Sequence, residues 1–140
     1  MPRHPARALI LLVAAALAGA CSSGEQLASA EAQVPHFRQL MAARRFEEIY
    51  ETGSEDLKKA GPEEGFVKFL GGVDGKLGAA KDSERTGWNV NFNVAATYVT
   101  LGFKTHFERG DGEEIFVYRV ADKEARLVGY HVTSNAFVTN

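Results

Sequence analysis

The chain contains one cysteine, Cys21, among its 140 residues, so no disulfide can close within it. No second long apolar run follows Cys21, which removes any candidate transmembrane helix from the remainder. An excess of positive charge is missing as well. Without Arg3 and Arg7, 14 basic residues face 18 acidic ones, a net of about −4, and such a chain has no electrostatic footprint for nucleic acid. The sequence has no H-x-x-x-H or E-x-x-H pair, and the oxygen-ligand spacing of an EF-hand is absent, so no metal site is expected. No motif calls for a cofactor. What is present, 24% charged and 45% hydrophobic residues, is the composition of one ordinary globular domain.

The first residues read as a targeting segment. Arg3, His4 and Arg7 form a positive region, and Ala8 to Ala20 (ALILLVAAALAGA) is uncharged and apolar, ending in small residues. At about 1.5 Å per residue this run reaches only ~20 Å, short of the ~30 Å hydrocarbon core, which identifies residues 1–20 as a cleaved signal peptide rather than a span.

Leu17, Ala18, Gly19 and Ala20 lead directly into Cys21. This stretch resembles a bacterial lipobox, with the leucine one place further from the cysteine than in the tightest form of the motif. A deprotonated thiol is the side chain best suited to thioether attachment of a diacylglycerol. The resemblance implies cleavage before Cys21, acylation there by palmitate-like chains, and a lipoprotein held at a membrane rather than spanning it. Two or three acyl chains are needed for a stable tether. By resemblance to lipoprotein sorting in bacteria with two membranes, Ser22 in place of an aspartate after the cysteine implies the outer membrane of the cell envelope, facing the periplasm.

Residues 21–33 (CSSGEQLASAEAQ) are small and polar and are expected to form a lipidated, flexible tether, leaving 34–140 as the single domain. VPHFRQLMAARRFEEIY spaces Phe37, Leu40, Met41, Phe46, Ile49 and Tyr50 as one helix, with Pro35 in its first turn and Gly53 as its stop. Ser54 caps a short helix to Ala60. Pro62 opens another, with Phe66, Phe69, Leu70, Val73 and Leu77 on one stripe and a second half weakened by glycine. From Glu84 the period becomes two, and strands are expected over 85–93, 97–108, 113–120 and 126–133. The fold class is therefore α+β, N-terminal helices packed on a curved four-stranded antiparallel sheet.

With hairpin turns at RGDG and ADKE, Phe103 is expected opposite Tyr118, and Tyr118 opposite Leu127. One face then collects Val99, Leu101, Phe103, Phe107, Phe116, Tyr118, Val120, Leu127 and His131 under the helices. The other carries Tyr98, Lys104, His106, Ile115, Val117, Arg119, Val128, Tyr130 and Val132. In β-strand alternation Trp88, Val90 and Phe92 fall on one side and the asparagines of NVNFN on the other. GGVDGKLG lacks the spacing of a phosphate-binding loop, RGD is turn chemistry, and Asp111, Glu113 and Glu114 read as a solvated loop.

FRQLMAARRFEEIYETGSEDLKK, FVKFLGGVDGKLG, YVTLGFKTHFE, EEIFVYRV and LVGYHVTSN, in this order, resemble the nuclear transport factor 2-like or cystatin-like cone, and more narrowly small envelope domains of that shape. The resemblance implies helices and a curved sheet around a packed core or a pocket. Three readings follow. The first is a noncatalytic domain that binds a protein partner or a small apolar ligand in a pocket of Phe103, Tyr118, Leu127 and His131. The second is an enzyme in which His131 and Tyr118 act as acid and base, although no buried aspartate is expected to orient them. The third is a homodimer formed through Tyr98, His106, Val117, Val128 and Tyr130.

Overall fold

A computed structural model describes residues 22–139. The expected signal peptide and Cys21 lie outside the described residues. The order is α1 (Ser22–Ala42), α2 (Phe46–Glu51), α3 (Glu55–Ala60), α4 (Glu63–Leu77), β1 (Ala80–Phe92), β2 (Thr97–Phe107), β3 (Gly110–Ala121), β4 (Glu124–Thr133) and α5 (Ala136–Thr139). It is an α+β arrangement of helices followed by one open antiparallel sheet, in strand order β1-β2-β3-β4. No helix among the described residues is long and apolar enough to cross a membrane.

The tether expected over 22–33 is instead the first half of α1. Its alanines, glutamates and glutamines are good helix formers. Leu27, Ala30, Val34, Phe37 and Met41 carry one apolar stripe through both halves, with Ala30, Val34 and Phe37 buried. Pro35 lies inside this helix, where its missing N–H leaves the Glu31 carbonyl without the usual partner four residues on. The helix expected to continue to Tyr50 is broken after Ala42. Arg44 takes a left-handed conformation (φ 56°), its N–H bonding the Met41 carbonyl at 3.0 Å while that of Arg45 bonds Leu40 at 2.9 Å. This is a Schellman stop with arginine where glycine is usual.

α4 runs unbroken to Leu77, despite its glycines, and stops at Gly78 (φ 74°). Arg109 closes that end, donating to the carbonyls of Asp74 and Gly75 at 2.8 and 2.9 Å. The arginine of the RGD tripeptide is thus a cap for a helix C-terminus.

The β2–β3 hairpin turns on Glu108 and Arg109, two residues earlier than expected, so Phe103 pairs with Glu114 and Val99 with Tyr118. Moving the turn by two residues shifts the pairing by four, so every side chain keeps its face. Val99, Leu101, Phe116, Tyr118, Val120 and Leu127 are accordingly buried beneath the helices. Tyr118 opposes Leu127 as expected, but Val117 opposes Gly129, so Val128 is the extra residue of a bulge. Beyond it the faces of β4 exchange. Tyr130 turns inward, with 4% of its surface exposed, and His131 turns outward.

Candidate functional site

The most unusual feature of the inner face is a buried carboxylate. Glu114 is 1% exposed. Its Oε1 accepts from Arg38 Nη2 at 2.8 Å and from the Thr105 hydroxyl at 2.5 Å, and its Oε2 accepts from the Tyr130 hydroxyl at 2.5 Å. The Arg38 guanidinium also lies 5.7 and 5.8 Å from the ring centroids of Phe103 and Phe116. One network therefore joins α1, β2, β3 and β4. Burial, and then the charge and hydrogen bond of Glu114, push the Tyr130 phenol well above its ordinary range.

The expectation of a solvated loop at Glu114 is corrected because β3 already begins at Gly110. That start gives Glu114 the inward parity of Phe116 and Tyr118. The signal was in the sequence, since glutamate, phenylalanine, tyrosine and valine alternate from Glu114 to Val120. It was hidden by placing the turn two residues late.

The four residues expected to share one pocket fall into two pairs: Phe103 and His131 line a pocket of about 240 Å³ with Lys104 and Glu113. Phe103 lies half-buried beside Arg38, while Tyr118 and Leu127 line a different pocket of about 150 Å³ with Gln33, His36 and Ile49 between α1, α2 and the β3–β4 hairpin. The Tyr118 hydroxyl is buried and makes no hydrogen bond among the described residues. Its pKa is raised, chiefly by burial and against the pull of Arg38. His131 lies across the sheet, paired in register with Ile115 on the outer face. His131 and Tyr118 therefore cannot act as an acid–base pair.

The expected interface is likewise divided. Tyr130 is in the core, and Val117 and Val128 are half-buried. Tyr98 is held by Asp56, to which its hydroxyl donates at 3.0 Å, and that bond raises its pKa. The same carboxylate lies 3.5 Å from Arg119. His106 alone of the five is fully on the surface. It lines an open cleft of about 470 Å³ with Lys104, Asp82, Asp111 and Thr133. Its Nδ1 is 2.6 Å from Asp111 and its Nε2 is 3.8 Å from Asp82. Among the described residues no group of His, Cys, Asp or Glu is disposed to hold a metal ion.

The hydrogen bond that His106 donates to Asp111 raises its pKa, with the charges of Asp111 and then Asp82 adding to the shift. A raised value means that the folded state holds this proton more tightly than the unfolded chain. Any stabilisation is then complete below the unfolded value of about 6.5 and disappears as pH climbs through the folded one. In a proton NMR titration the His106 midpoint should lie above the ordinary value, and Asp111→Asn should bring it down. An unchanged midpoint in that variant would show that the carboxylate does not hold the proton.

β1 is exposed along nearly all its length. Trp88 and Phe92, each 54% exposed, stand at the rim of the helix-covered face, where Trp88 pairs with Leu101 and Val90 with Val99. No known protein-family model matches this chain, and no curated protein is significantly similar to it.

Proposed function

We propose that this is a lipid-anchored cell-envelope protein, acylated at Cys21 and held at the outer membrane facing the periplasm. Its domain, a nuclear transport factor 2-like or cystatin-like cone, works by binding a protein partner. The anchor is supported by LAGAC after a short apolar run, and the cone by the order of helices before a four-stranded meander. Binding is supported chiefly by one observation: β1 leaves Trp88 and Phe92 more than half exposed beside a well-packed core. The Tyr118–Leu127 pocket supports a small ligand less well, because about 150 Å³ is below the ~300 Å³ at which ligand pockets usually begin.

The full chain, expressed in a diderm bacterium with a clickable fatty acid, should be labelled, and Cys21→Ser should lose the label. A photocrosslinking amino acid at Trp88 should give a discrete protein adduct, whereas one at exposed Lys68 should not. Labelling of Cys21→Ser would overturn the anchor, and absence of a Trp88 adduct would overturn the binding surface.

A further inference from the structure

We propose that the partner of β1 is a second copy of this chain, joined by antiparallel pairing of the two β1 strands about a two-fold axis through Val90. This deepens the reading above and rests on it in taking β1 as the binding surface and the membrane as the place of assembly.

The two edges of the sheet are treated differently. At β4, the Leu127 carbonyl accepts both the N–H and the hydroxyl of Ser54, at 2.9 Å each, so the residue that caps α3 engages that edge. β1 is the open edge, and it falls into two halves. The first carries Lys81, Asp82, Glu84 and Arg85, with register irregularities at Lys81 and Thr86. Charges and bulges are the usual defences against edge-to-edge association. The second half, Gly87 to Phe92 (GWNVNF), has no charge, no proline and no bulge.

Hydrogen-bond phase favours pairing there. The Asn93 N–H bonds the Ala96 carbonyl at 3.1 Å at the mouth of the hairpin. By antiparallel alternation Asn91 and Asn89 then turn their backbone groups to β2, while Phe92, Val90 and Trp88 turn theirs to the free edge. A two-fold axis at Val90 sets Trp88 against Phe92 of the second copy, Val90 against itself, and Asn89 against Asn91. Each apolar residue meets an apolar residue, and each amide meets an amide that can both donate and accept. The result is a continuous eight-stranded sheet with the four half-exposed rings gathered on one face.

The half-exposed rings and strand backbones would bury roughly 800–1,000 Å² in total, the range of weak pairs rather than the ~1,200 Å² of standard interfaces. Confinement to a bilayer surface raises the effective concentration of such a pair.

Val90→Cys in the full chain, treated in intact membranes with a short thiol-to-thiol crosslinker, should give a dimer, with the parent chain as control for Cys21. Adding Asn89→Lys and Asn91→Lys sets like charges opposite each other and should lower the dimer about tenfold. Asn89→Lys with Asn91→Glu sets opposite charges across the axis and should restore it. A crosslink that survives both lysines, or no crosslink in the first variant, overturns the pairing. Fatty-acid labelling of the same samples reports the anchor separately. A Trp88 photoadduct to a different protein would remove the second copy while leaving the binding surface in place.

Discussion

Glu114→Ala is expected to cost about 3–5 kcal/mol, because it leaves the Arg38 guanidinium without its anion and the Thr105 and Tyr130 hydroxyls without their acceptor. For a domain of this size, that corresponds to a fall of roughly 10–25 °C in melting temperature. Glu114→Gln keeps the shape and one acceptor oxygen and should cost less, about 1–3 kcal/mol. Removing both charges is the sharper test. Arg38→Met combined with Glu114→Leu should recover the part of the loss due to the stranded guanidinium, while the Thr105 and Tyr130 hydroxyls still lack their acceptor. If thermal unfolding of Glu114→Ala matches the parent within about 1 kcal/mol, the network does not hold α1 to the sheet.

Phe116→Ala should be as damaging, at about 3–5 kcal/mol. Phe116 has no exposed surface, and its ring meets Phe37 edge-on at 5.0 Å, Tyr130 at 5.0 Å and Phe103 edge-on at 5.8 Å. The cavity would open where α1 crosses the centre of the sheet. Val90→Ala, at a half-buried position on the edge strand, should cost far less. Urea unfolding of the two variants would rank them, and equal costs would contradict the placement of the core. Because Arg38 lies against the Phe116 ring, the Phe116 and Glu114 losses should not add. Either one is a large share of the ~5–15 kcal/mol available to a domain.

The helices-then-meander order and the buried faces of β2 and β3 were legible in the sequence, because period-two alternation survives an error of two residues at a turn. Tyr130 and His131 were not, since a bulge at Val128 reverses parity and only the neighbouring Gly129 hints at it. The stop after Ala42 was unreadable for a related reason: Arg44 adopts a conformation that its side chain does not advertise. Residues 22–33 were misread through composition. Small polar residues look like a linker until Leu27 and Ala30 are seen to continue the stripe of Val34 and Phe37. The candidate site suffered most, because its central group is a glutamate whose role depends on where one hairpin turns.

The start of α1 at Ser22 has a mechanical consequence. If the acyl chains sit on the preceding residue, no slack separates the anchorage from the fold. The seventeen residues from Ser22 to Arg38 form a strut of about 24 Å. A load on the lipid would run along this strut into the Arg38–Glu114 pair at the centre of the sheet. The protein would then register tension at its membrane foot as strain in its core, and its height and tilt above the bilayer would be set by a helix.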